Sequence, residues 1–153
     1  MNPSVMGHYF EEFEAGQVIE HQLSKTIFES DNNFFSLLTM NHHPLHTNRD
    51  FAEKSQHKQN LVVGTLVFSI VVGMTVPDIS GKAIANLDFE KVEHLAPVFI
   101  NDTLYAKTEI LDIRESKSKP DRGIVYVETT ASNQDGIAVL RYRRHVLIAK
   151  KGE

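Results

Sequence analysis

Three histidines crowd the stretch Asn41-His42-His43-Pro44-Leu45-His46, and a proline stiffens the chain between them. Histidine exchanges a proton near neutral pH, so a well-held His46 is a candidate general base. Further on, the chain becomes almost wholly apolar from Leu61-Val62-Val63-Gly64-Thr65-Leu66 to Val76. A helix beginning at Gly64 offers unpaired backbone N–H groups to an oxygen that is gaining charge. Glycine there lets a ligand approach the backbone closely, and the helix dipole adds to the attraction. A base on a stiff loop and N–H donors at a helix start suit acid–base chemistry on an acyl group.

The same residues have plainer readings. His46 could be a loop histidine that only hydrogen-bonds backbone. Gly64 could serve close helix packing. His42, His43 and His46 could hold a metal, but Pro44 interrupts the helix that an i, i+4 ligand pair needs, and none is expected. Asp31 reads as a helix cap or, alternatively, as a second acid.

The chain has 153 residues, which predicts a single domain, 1–153, with a sizeable core. Its formal net charge of −4 argues against a nucleic-acid binder, which needs a basic face. It has no cysteine, which removes disulfides, thiolate nucleophiles and Cys-based zinc sites, and suits the cytoplasm. The N-terminus lacks the basic and apolar regions of a signal peptide. The apolar run 61–76 covers 16 residues, against about 20 for a membrane span, and reads as a buried helix.

The elements that must position the candidate residues follow from periodicity. Residues 17–27 alternate as a strand. Ser30 or Asp31 caps a helix whose apolar positions Phe34, Phe35, Leu37, Leu38 and Met40 fit a 3.6-residue period. Pro44 ends any helix soon after Asn41 and biases His43 toward an extended conformation. Thr47 or Asn48 caps a short helix through Phe51 and Ala52. Residues 83–94, 103–115, 123–133 and 137–150 read as strands, with Asp135-Gly136 as a hairpin turn. Consecutive hairpins exclude a parallel, doubly wound sheet and predict an α+β fold. A helix apolar nearly all round must be wrapped, and a curved antiparallel sheet is the natural wrapper, as in a hot-dog fold. One layer leaves a sheet edge and a helix flank open, so a homodimer is expected.

Residues 40–46 with Ala52, the helix start Leu61-Val62-Val63-Gly64, Ala85-Asn86-Leu87-Asp88-Phe89 and Pro97-Val98-Phe99 carry a family likeness. Over about residues 9–149 the chain resembles the MaoC-like, R-specific enoyl-CoA hydratases of the hot-dog superfamily. Their signature, Gly-Asp-x-Asn-Pro-aliphatic-His, stands here as Met40-Asn41-His42-His43-Pro44-Leu45-His46. The glycine thus falls at Met40, the aspartate at Asn41 and the asparagine at His43; a histidine common before the helix glycine is Val63. Leu38-Thr39-Met40, the motif itself, Ala85-Asn86-Leu87 and 114–121 ahead of Gly123 resemble a subgroup acting on branched C5 dicarboxylic thioesters. In that subgroup asparagine at position 41 looks usual.

The resemblance implies a cytoplasmic hydro-lyase of acyl-CoA metabolism, such as itaconate degradation. It would add water to itaconyl-CoA or mesaconyl-CoA, giving citramalyl-CoA or methylmalyl-CoA. No cofactor is implied, since coenzyme A is part of the substrate. His46 would be the base, Asn41 the water-orienting residue and Gly64 the oxyanion donor, with Val63 and Thr65 beside it at the substrate. Asn86 and Phe89 are implied acyl or pantetheine contacts. Arg141 and Arg143 share one face of the last strand and Arg144 takes the other. Arg143 would hold a carboxylate or a CoA phosphate, and Lys117, Lys119 and Arg122 would meet phosphates at the surface. The alternatives are a hot-dog thioesterase, for which residues 65–76 lack the usual carboxylate, and an acyl-CoA-binding subunit without turnover.

Overall fold

A computed structural model describes residues 6–152. Its strands are β1 (Val18–Glu20), β2 (Lys25–Thr26), β3 (Ala83–Asn86), β4 (Glu90–His94), β5 (Thr103–Glu115), β6 (Arg122–Ser132) and β7 (Ala138–Ala149). Its helices are α1 (Glu29–Leu38), α2 (Pro44–Thr47), α3 (Arg49–Glu53) and α4 (Gly64–Thr75). The sheet is antiparallel in the order β1-β5-β6-β7-β3, with β2 on β5 and β4 on β7. The three long strands alternate buried and less buried residues, so one face is apolar and packs on α4. This is the α+β, hot-dog arrangement that the apolar helix demands.

Two apolar clusters fill the inside. Leu66, Val67, Val71 and Met74 of α4 pack on Leu104, Ala106, Ala131, Leu140 and Tyr142. Phe10, Phe13, Ile79, Ile110, Val125, Val127, Val146 and Ile148 form the second cluster. A polar seam runs between them. His21 bridges Asp78 and Thr108 at 2.7 Å each, and Thr108 meets Thr129 at 2.7 Å. Arg144 continues the seam, donating to Thr75 Oγ1 at 2.8 Å. These buried groups tie together elements distant in sequence, because a polar atom out of water must find a partner within the protein.

Several predicted elements differ. The strand expected over 17–27 is broken into β1 and β2, and that over 83–94 into β3 and β4, where the chain bends. Pro44 does not merely follow a helix; it opens α2, where its missing N–H costs nothing. Asn48 caps α3 by accepting from Phe51 N–H at 2.9 Å. The largest departure is α1. Its buried residues are the polar Asn32 and Ser36, while Phe34, Leu37 and Leu38 stand 54–68 % exposed. Periodicity chose the apolar face, but α1 turns Asn32 and Ser36 inward, and Asn32 meets backbone groups there.

Asp31 lies in the first turn of α1. Its carboxylate accepts from Phe28 N–H at 2.9 Å and pairs with Lys25 Nζ at 2.7 Å. The Lys25 ammonium first, then the Phe28 N–H, hold this carboxyl below its ordinary range. A depressed carboxyl stabilises the fold above its unfolded-state pKa, and that contribution is lost as pH falls through the folded value. Asp31→Asn should therefore lower stability at neutral pH by about 0.5–1 kcal/mol. Denaturant melts from pH 7 to pH 3 should show the gap between variant and parent closing; a gap constant with pH would contradict the assignment.

Candidate active site

His46 lies in the last turn of α2, half-buried, with its ring held by one backbone oxygen. Nδ1 lies 2.7 Å from Leu61 O. A carbonyl only accepts, so Nδ1 must carry the proton. In the neutral ring Nε2 is then the unprotonated nitrogen, with a lone pair ready to take a proton.

The loop ahead of His46 is folded on itself. Asn41 N–H donates to Ser36 O at 2.9 Å, and Asn41 Oδ1 accepts from His43 N–H at 3.4 Å. The Asn41 Nδ2 group has no partner among the described residues. His43 is extended, with φ −62° and ψ 124°, and its Nδ1 accepts from Leu45 N–H at 3.1 Å, capping α2. Met40 adopts φ 62°, a left-handed conformation that costs a non-glycine residue about 1–2 kcal/mol. That is the position at which the resembled signature has glycine. Behind the loop, Asn60 Nδ2 donates to Leu45 O at 3.0 Å and to Asn48 O at 3.3 Å.

The start of α4 faces the same region. Residue 62 is held by Val62 N–H to Val98 O at 2.8 Å, and Val63 is the residue before the helix. Val63 O already accepts from Leu66 and Val67 N–H, and Val63 N–H donates to Asn32 Oδ1 at 3.0 Å. The N–H groups of Gly64 and Thr65 have no acceptor among the described residues. A side chain at 64 would crowd His94, whose ring lies 3.0 Å from where a Cβ would stand. Thr65 is exposed, and Val63 is buried.

The structure ties His46 to Val63, with Gly64 and Thr65 directly after it, through Leu61 and Asn32, and ties Asn41 to the end of α1 through Ser36 O. It spreads the other predicted contacts along α4. Phe89 packs edge-on against Phe68, one turn beyond Gly64, at 4.9 Å between ring centroids. Asn86 lies at the far end, where its Oδ1 accepts from Arg144 Nη1 at 3.3 Å. Arg143 is not brought to the cluster. Strand alternation turns it to the outer face, where its Nε donates to Glu128 at 2.7 Å. Arg144 points inward, 2 % exposed, with no carboxylate in reach among the described residues. Arg122, the first residue of β6, pairs with Asp121 at 2.8 Å, at the sheet end beside the second cluster. Asp31 is a cap and ion-pair partner. The described residues gather possible metal ligands only at Asp88, Glu90 and His145, where the end of the β3–β4 connection and the start of β4 lie against β7, rather than at His42, His43 and His46.

Sequence reasoning missed Asn32 and His94. The i, i+4 spacing of Asn32 and Ser36 on one face of α1 was the available signal, but nothing in it named the backbone groups that Asn32 meets. His94 becomes relevant only because β4 runs beside α4.

Comparison with known proteins bears on the family and the fold. Residues 11–133 match the family described as MaoC like domain. The chain is 34% identical to a mesaconyl-CoA hydratase from Cereibacter sphaeroides, covering 95% of this chain and 42% of that protein. It is 36% identical to a beta-methylmalyl-CoA dehydratase from Chloroflexus aurantiacus, covering 95% and 41%. The chain thus spans about two fifths of the length of these relatives. A solved monoamine oxidase regulatory protein from Archaeoglobus superposes with a TM-score of 0.83 at 32% identity, covering 97% of this chain and 99% of that one. The chain belongs to the MaoC-like family, and its fold is the hot dog.

The Leu61 contact has a direct readout. In the neutral ring the ¹⁵N resonances of His46 should show Nδ1 protonated and Nε2 bare. A signal from the Nε2–H tautomer would refute the assigned base.

Proposed function

We propose that the chain hydrates an enoyl-CoA, reversibly, and that the substrate is a branched C5 dicarboxylic thioester of the itaconyl- or mesaconyl-CoA kind. The observation that carries this reading is that Leu61 O leaves His46 Nε2 bare while the N–H groups of Gly64 and Thr65, three and four residues after Leu61, stay unpaired. The names of the two relatives, a hydratase and a dehydratase of C5 thioesters, supply the substrate class.

Water addition needs a base, an oxyanion site and a proton for the α-carbon. Asn41 Nδ2 donates to the water oxygen and orients it, since an amide cannot take its proton. His46 Nε2 removes one proton as the water oxygen bonds to the β-carbon. The π electrons of the double bond move to the thioester, whose oxygen becomes enolate-like between Gly64 and Thr65 N–H. The His46 imidazolium returns its proton to the α-carbon, and the hydroxyacyl thioester leaves. One base suffices because Asp31 is committed to Lys25 and Phe28. CoA enters as part of the substrate, and no cofactor is needed.

Two features suit a homodimer working in the cytoplasm. Thr65, Ser69 and Gly73 form an open stripe on α4, and Leu87, Phe89 and Val92 beside it are exposed by 41–49 %. A second copy would cover both. No helix among the described residues is long and apolar enough to cross a membrane.

The first test follows enoyl-thioester absorbance with itaconyl-CoA, mesaconyl-CoA and crotonyl-CoA. Turnover should be fastest with a C5 dicarboxylic substrate, and His46→Ala should cut kcat about 10³-fold. Near-normal turnover in the variant would refute the assigned base, and release of free CoA thiol would indicate a thioesterase instead. Gly64→Ala should fold, because the exposed His94 ring can move by the few tenths of an ångström needed. It should nonetheless lose at least about 10-fold in kcat, as the oxyanion geometry is disturbed; unchanged kcat would remove Gly64 from the site.

A further inference from the structure

Asn32 stands on α1, with no part of its surface exposed, and touches no candidate reacting atom. Both of its side-chain donors and its carbonyl oxygen are engaged by the two segments that make up the site. Nδ2 donates to His46 O and to Leu61 O, each at 3.2 Å. Oδ1 accepts from Val63 N–H at 3.0 Å. Leu61 O is the same oxygen that fixes the His46 ring. Val63 is the residue before the two unpaired N–H groups.

We infer that Asn32 is a positioning residue that sets the base loop and the oxyanion end of α4 in one fixed geometry. The inference rests on the hydratase reading and extends it to a residue outside the signature. Only an amide fits. Two donors must meet two carbonyls, and one acceptor must meet one N–H, all from one side chain. Aspartate keeps the acceptor and loses both donors. Leucine would strip His46 O and Val63 N–H of these partners and leave Leu61 O with the His46 ring alone. The neighbouring turn of α1 completes the frame, since Ser36 O holds Asn41 N–H. One buried helix face therefore grips the loop at both ends, at Asn41 and at His46. Misplacing reacting groups by about 1 Å can cost on the order of 10²-fold in rate, so small losses of register here should appear in turnover.

The test uses the full chain with Asn32→Asp and Asn32→Ser, each checked for folding by circular dichroism. In folded variants kcat should fall on the order of 10²-fold while KM changes less than about 3-fold. The same changes made in a His46→Ala background should cost clearly less, because the part of the effect that runs through the base is already lost and only the part at the start of α4 remains. Equal losses in both backgrounds, unchanged kcat in a folded variant, or unfolding of both variants would overturn the inference. Absence of turnover in the parent protein would instead overturn the hydratase reading itself, and the two failures are thereby told apart.

Discussion

Helix α4 is apolar on nearly every side and has no stable place in water. Its mean burial is possible only because three long strands curve round it, with Leu104, Ala131, Leu140 and Tyr142 forming the bed. Burial of this kind is worth roughly 25 cal/mol per Å² of apolar surface, so the wrapped helix contributes to the stability of the fold alongside the second apolar cluster. It also creates a problem at the helix start. The first N–H groups of any helix lack internal partners, and a buried terminus must satisfy them or leave them for something else. Here Val63 N–H is taken by Asn32, while Gly64 and Thr65 are left open.

The site grows from that arrangement. Residues 61–63 are extended, so Leu61 O is free to hold the His46 ring, and Val62 is tied to the strand side through Val98. The loop from Asn41 to His46 is fixed by α1 on one side and by Asn60 on the other. Many weak backbone contacts, each worth about 1 kcal/mol, define the position of one imidazole. The left-handed Met40 is part of the same geometry, because the chain must turn sharply between α1 and the loop.

Much of the fold was legible beforehand. The apolar run, the Asp135-Gly136 turn and the alternating stretches led to α4 and the long antiparallel strands because burial and pleat leave periodic marks. The motif residues were legible too, since chemistry requires particular side chains. The orientation of α1 was not. Phe34, Leu37 and Leu38 look like a core face, yet Asn32 and Ser36 are the buried ones. Hydrophobicity favours one face, but unsatisfied carbonyls and N–H groups nearby favour the other, and the second demand becomes visible only once the backbone is folded.

Arg143 and Arg144 show the same division. Alternation placed them on opposite faces, but only the assembled sheet shows that the outer one meets Glu128 and the inner one meets Thr75. The sequence by itself determined the helix that had to be buried, the antiparallel class of the sheet and the histidine able to exchange a proton, because these depend on residue type and local spacing. Tertiary structure alone decided which nitrogen of His46 is bare, which N–H groups stay unpaired and that Asn32 joins them. Those properties depend on backbone atoms contributed by residues 14 to 31 positions away from their partners, and no local pattern encodes such contacts.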